Sequence, residues 1–279
     1  MEVAMKIAIP KDYYDAVHEY EIYSYLDAIN NTQVEALGIP CVYYYGQWNG
    51  CILLAITLLD SEFTAKTKNP KEFNVFDTLI IFREFVRTTK YVHSRGVCHM
   101  DATMDNFMFR KQEGFIIDYT MAVKMFRSES IESPEGISRI GTGCAKEDWD
   151  NFLYSMALLI DIELDTYIIE EATIIFEKIE HLGLRKVYLE FFKCAIKDGF
   201  PSYDDLYKII NEEINNVDEL KPVSVSWLPD QQKRKADFKL TENRAPSIES
   251  IKDPSKIVTF HYAAPKLDYF KHVGFNNNI

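Results

Sequence analysis

Eleven residues at 99–109, HMDATMDNFMF, gather a His, two Asp and an Asn among Met and Phe. A short apolar stretch, FIIDYT, follows and carries Asp118. Carboxylates and an amide at this spacing suit phosphoryl transfer from a nucleotide. One carboxylate receives or orients the proton of an attacking hydroxyl. An amide oxygen and a second carboxylate hold Mg²⁺ against the phosphates. Magnesium takes hard oxygen ligands, which Asn and Asp supply. The loop puts Asp101 and Asn106 on one turn, and the strand after it can bring Asp118 to face them. The competing reading is a polar turn in an unrelated α/β protein.

These groups need elements to hold them. EVAMKIAI alternates with period two, Val3, Met5 and Ile7 on one face and Ala4, Lys6 and Ala8 on the other, so a strand is expected. Pro10 ends it. DYYDAVHEYEIYSYLDAI has helical spacing, with Val17, Tyr20, Ile22, Tyr23 and Leu26 on one side. GIPCVYYYGQWNGCILLAITLLD reads as two strands around Asn49-Gly50. FDTLIIFREFVRTTKYVHSRG is a long amphipathic helix closed by Gly96. Residues 148–165 read as a buried helix, and further helices run to about residue 218, one capped by Ser202. After about residue 220, Pro, Ser and charge dominate, and a partly irregular tail is expected. The domain boundaries expected are 1–60, 61–220 and 221–279.

Composition excludes several classes. Hydrophobic residues make up 47%, which suits a globular chain. The net charge of −12 argues against a general nucleic-acid surface. The basic run at 231–239 reads as a solvated charge run rather than a docking signal. No apolar run reaches the ~18–20 residues of a membrane span, and the N-terminus has no cleavable signal pattern. A soluble intracellular protein is expected, cytoplasmic or nuclear. The five cysteines form no CxxC pair and read as free thiols.

At these residues the chain resembles the protein kinase superfamily. YVHSRGVCHMDATMDNFMF is similar to the catalytic loop H-R-D-L-x-x-x-N, and FIIDYT to the strand and D-F-G element. The DYT variant is locally similar to haspin kinases. VAMK resembles the V-A-I-K strand, and HEYEIYSYL the helix that carries its ion-pair partner. The resemblance implies an α+β, bilobal kinase-like fold with a mainly helical C-lobe. It implies Asp101 as catalytic base and Asn106 and Asp118 as Mg²⁺ ligands. Lys6 would contact the ATP phosphates and pair with Glu19, with Glu21 as the fallback. Backbone groups of Thr57, Leu58 and Leu59 would meet adenine, with Ile56 behind them. Asp148 would anchor the catalytic-loop backbone, and His99 would pack in the core. His93 is expected to be exposed or capping.

The chain also departs from the family. Five residues precede Lys6, too few for the family's first two strands and glycine-rich loop. A reduced N-terminal lobe is therefore expected, with another segment over the nucleotide; KIVTFHYAAPK could pair with the open sheet edge. Met100 stands where the family has Arg, SPEG at 133–136 is a poor stand-in for A-P-E, and Thr120 replaces a glycine. The expected function is an ATP- and Mg²⁺-dependent kinase acting on protein Ser/Thr. The alternatives are a pseudokinase that binds or inhibits a partner kinase, and a small-molecule kinase.

Overall fold

Alternation does produce a first strand, β1 (Val3–Ala8). Its inner face sets Ala4 on the main core and Ala8 against Ala16 and Ile52, with Lys6 between them on the same face. A 3-10 turn led by Pro10 delivers the chain into α1 (Tyr13–Tyr25). This helix buries Ala16, Glu19, Ile22 and Tyr23. Val17, expected on that side, is 39% exposed. It is one residue, about 100°, round the helix from Ala16, and the 16–19–23 row is the one that meets the sheet.

The structure is a computed structural model, and it describes residues 2–59, 74–125, 139–197, 200–217, 223 and 258–260. The runs at 133–136 and 231–239 lie outside these residues, as do the expected boundaries at 60–61 and 220–221. Strands β2 (Val42–Trp48) and β3 (Cys51–Thr57) form the expected hairpin. Asn49 and Gly50 turn it with φ of 48° and 73°, the left-handed pair that a two-residue hairpin turn requires. β1 pairs antiparallel with β3 along its whole length, Lys6 opposite Leu54.

Helix α2 (Val75–Ser94) starts at Asn74, whose side chain accepts from the Asp77 amide at 2.6 Å. It stops at Gly96, φ 71°, as its C-terminal glycine predicts. Short strands follow: β4 (Val97–Cys98), β5 (Phe107–Arg110), β6 (Glu113–Ile116) and β7 (Val123–Lys124), with β4 paired to β7 and β5 to β6. The rest is helical: α3 (Arg139–Leu159), α4 (Ile169–Phe176), α5 (Leu182–Ile196) and α6 (Tyr203–Asn215). Ser202 caps α6 as expected, accepting from the Asp205 amide.

The helix expected over 148–165 begins earlier and ends earlier. Asp161 takes a left-handed φ of 61°, and the Ile162 amide donates back to the Ala157 carbonyl at 2.8 Å. That pairing closes the helix in a Schellman-type cap. Rings fill the space between α2, α3 and α5. Phe85 stacks on Phe152 at 3.6 Å and meets Trp149 edge-on at 5.3 Å, while Phe191 packs on Trp149 and Phe82.

The chain is thus α+β, with a four-stranded antiparallel sheet in the order β2-β3-β1 and then a strand at Val258–Phe260, β8. The last strand, β8 (Val258–Phe260), comes from the tail and pairs antiparallel with β1 at Val3–Met5. The expected edge pairing of KIVTFHYAAPK is therefore present over three residues, on the strand that carries Lys6. Among the described residues, no helix is long and apolar enough to cross a membrane.

Candidate active site

Lys6 joins two acids from distant parts of the chain. Its Nζ lies 2.8 Å from Glu19 Oε2 and 2.9 Å from Asp118 Oδ1. The pleat of β1 aims Lys6 at α1, and Ile22 and Tyr23, three and four residues on from Glu19, fix that helix face in the core. Glu19 is 1% exposed, whereas the fallback Glu21 is exposed. Asp118 sits in the left-handed region, φ 63° and ψ 70°, which Asp tolerates better than most residues. Tyr119 is buried beneath it, and the Thr120 hydroxyl also donates to Asp118 Oδ1 at 2.9 Å.

The charges tune one another. Burial would lower the Lys6 pKa, but the carboxylates of Glu19 and Asp118 outweigh it and raise it above the ordinary lysine value. Burial would raise Asp118, but Lys6 and the Thr120 hydroxyl hold it below the ordinary carboxylate value. Glu19 is the most enclosed of the three, and burial keeps its carboxyl raised despite Lys6.

Lys6→Met is therefore expected to destabilise the fold by about 2 kcal/mol near neutral pH. This is less than the ~3–5 kcal/mol of a fully enclosed pair, because the Lys6 side chain keeps 24% exposure. Asp118's contribution is present above its unfolded pKa and lost as the pH falls through its folded value. Lys6's contribution is present below its unfolded pKa and lost as the pH rises through its folded value. The stability difference between wild type and Lys6→Met, read by urea unfolding, should be greatest between the raised Glu19 value and about pH 10; it should shrink on the acid side as Glu19 and then Asp118 take protons, and on the alkaline side as Lys6 loses its own.

The loop at 99–109 is fixed from beneath by Asp148, which is 1% exposed on α3. Its Oδ2 accepts from the His99 amide at 2.8 Å and its Oδ1 from the Met100 amide at 2.6 Å. Asp148 thus anchors this backbone, as expected. Met100 turns the chain with a left-handed φ of 66°. Along the same face of α3, Asn151 donates to the Met100 carbonyl and Ser155 accepts from the Met104 amide.

His93 corrects the sequence reading. It is 5% exposed; its Nε2 donates to Asp148 Oδ2 at 2.9 Å and its Nδ1 accepts from the Tyr203 hydroxyl at 2.5 Å. Its place in the last turn of α2 turns it inward, under the loop. His93, Cys98 and Asp148 bring one ligand atom each within 4.8 Å of one another. Both Asp148 oxygens and both His93 nitrogens take part in hydrogen bonds, and through them the pair braces the loop.

His99 is buried. Its Nδ1 accepts from the Asp101 amide at 3.3 Å and its Nε2 donates to the Ile117 carbonyl at 2.9 Å, which sets the Nε2–H tautomer. The Tyr119 ring stands edge-on to both His99 and Tyr23, at 4.8 and 5.1 Å between centroids. A column of three rings therefore ties the loop to α1.

Asn106 donates its Nδ2 to the Asp101 carbonyl at 2.9 Å and to Asp101 Oδ2 at 2.8 Å. The nitrogen is committed to Asp101, which turns the carbonyl oxygen, the atom a metal takes, the other way. The Ile117 amide donates to the main-chain carbonyl of Asn106 at 2.9 Å, setting Asn106 beside the residue before Asp118. Asp101 and Asn106 thus form one group and Lys6, Glu19 and Asp118 another, joined through the backbone at Ile117. Asn106 and the two aspartates carry an amide oxygen and carboxylate oxygens, hard donors of the type that Mg²⁺ takes.

Thr57, Leu58 and Leu59 lie outside both groups. The Thr57 amide donates to the Cys41 carbonyl at 3.0 Å, so it is already paired within the sheet. Leu59 is buried against Phe115 and Ile117, with Met108 packed on the same group. Ile56 lies in the main core. An apolar cluster thus borders Asp118 through Ile117. Met108 and Ile117 belong to it, and a strand pattern is their only mark in the sequence. No known protein-family model matches the chain.

Proposed function

We propose that the chain is an ATP- and Mg²⁺-dependent phosphotransferase of protein kinase-like, bilobal architecture, acting on a protein Ser or Thr hydroxyl. The observation that carries the reading is Lys6 held between Glu19 and Asp118 at 2.8 and 2.9 Å. An ammonium beside an acid that can take Mg²⁺ is an arrangement for gripping a polyphosphate. In this reading β1–β3, α1 and β8 form the smaller lobe and α2 to α6 the larger.

Asn106 and Asp118 would hold Mg²⁺, which neutralises phosphate charge when bound. Lys6 binds phosphate oxygens and is kept in place by Glu19. Asp101 is half-buried, and Asn106 occupies its Oδ2. Its other oxygen is the acceptor for the proton of the incoming hydroxyl. The apolar group of Leu59, Met108 and Ile117 gives adenine a floor next to Asp118.

Thermal shift with Mg·ATP tests this. Wild type is expected to gain stability as Mg·ATP rises, by about 2.7 kcal/mol at a hundredfold excess over Kd. Asp118→Ala should abolish the gain. A wild type that shows no stabilisation by Mg·ATP rules the reading out. Stabilisation without transfer to protein points instead to a nucleotide-binding pseudokinase or a small-molecule kinase.

A further inference from the structure

One carboxylate outside the set just described gathers three distant segments. Glu35 lies in a 3-10 helix, Thr32–Leu37, after α1. Its Oε1 accepts from the Thr57 hydroxyl at 2.5 Å and from the Tyr43 hydroxyl at 3.1 Å. Its Oε2 accepts from Arg110 Nη1 at 3.0 Å. Thr57 ends β3, two residues before Leu59. Arg110 ends β5, two residues after Met108, and its guanidinium lies 5.1 Å over the Phe115 ring. Phe115 in turn packs with Leu59 and Ile117.

We propose that Glu35 is a positioning residue for the adenine end of the nucleotide site, a role that rests on the phosphotransferase reading above. Through Thr57 it fixes the strand that leads to Leu59, and through Arg110 it fixes the β5–β6 floor under Met108. One side chain thereby sets how the Leu59 end of β3 packs on the β5–β6 floor, and so the shape of the apolar group proposed to carry adenine. Hydrogen bonds to a charged acceptor are strong and directional, which suits that task. Burial would raise the Glu35 pKa, but the bonds from Thr57 and Arg110 outweigh it and lower it. The carboxylate therefore stays ionised and the contacts persist through the neutral range. Glu35 touches none of the acids or the lysine that face phosphate, so its influence should fall on the base and not on the triphosphate.

The test compares Mg·ATP with Mg·tripolyphosphate, which lacks the base, as titrants of the 279-residue chain. The variants are Glu35→Gln, Arg110→Gln and the double substitution. Glu35→Gln keeps an acceptor for Thr57 but sets an amide or a neutral oxygen against Arg110. The Kd for Mg·ATP is expected to rise about tenfold in each single variant and no further in the double, as for residues acting through one contact. The Kd for Mg·tripolyphosphate should stay within about twofold of wild type, and the melting temperature within a few degrees. Equal weakening of both titrants would mean that Glu35 supports the whole fold, and the proposal fails. So it does if Mg·ATP binding is unchanged. A wild type that binds neither titrant sinks the phosphotransferase reading as well, which separates the two failures.

Discussion

Asp148→Ala should cost about 3–5 kcal/mol of stability, the largest loss expected of any single substitution in the loop region. The carboxylate is the shared acceptor for the His99 amide, the Met100 amide and His93 Nε2. Alanine leaves the His99 amide and His93 Nε2 enclosed without this partner and the half-buried Met100 amide without its acceptor, and each stranded buried polar group costs about 1–3 kcal/mol. Met100 adds to this, because its left-handed turn is held by the bond to Asp148 Oδ1. For a chain of this size the loss corresponds to a fall of about 10 °C in melting temperature. Asp148→Asn should fall between, because an amide nitrogen cannot accept from a backbone N–H while its oxygen can. Urea unfolding of the three proteins measures the series. A loss below about 1 kcal/mol in Asp148→Ala would show that the loop finds other acceptors.

The partners of Asp148 also mark the limit of what the sequence could reveal. Elements with local signals were legible: β1 from its alternation, the β2–β3 turn from Asn49-Gly50, and the α6 start from Ser202. The spacing of Asp101, Asn106 and Asp118 also pointed to one site; the structure pairs Asp101 with Asn106, pairs Asp118 with Lys6, and joins the two segments through the Ile117 amide. What stayed hidden depends on partners far away in the chain. His93 looks like one more polar residue in the last turn of a helix. It is enclosed only because Asp148, 55 residues on, and Tyr203, 110 residues on, close over it. Glu35 sits between Val34 and Ala36 in a short 3-10 turn and gives no periodic signal. Its role comes from Thr57 and Arg110, on strands that reach it only after folding. Helix α3 was misjudged for a different reason. Gly141 and Gly143 argue against a helix by propensity, yet the helix begins at Arg139. The Asp161 cap that ends it needs a left-handed residue, which Gly or Asn would have signalled more strongly than Asp.

Asp101→Asn is expected to lower phosphate transfer by about 10²–10⁴-fold while leaving nucleotide binding within about twofold of wild type. The two side chains have the same shape, and the amide oxygen introduced at this position can take the bond that Asn106 Nδ2 now gives to Asp101 Oδ2. The second bond from Asn106 goes to the backbone carbonyl of Asp101 and does not involve that side chain at all. Fold and loop should therefore persist, and what is lost is a carboxylate able to receive a proton. Asp118→Asn provides the contrast. It removes a charge that both balances Lys6 and would hold Mg²⁺, so binding and turnover should fall together. The pair of variants is to be assayed for transfer to a generic protein substrate and to the chain itself, beside Mg·ATP titrations. If Asp101→Asn lowers transfer less than about tenfold, Asp101 is not the base. If both variants lose binding equally, the loop is acting as a single ligand shell, and the division of labour between proton and metal does not hold.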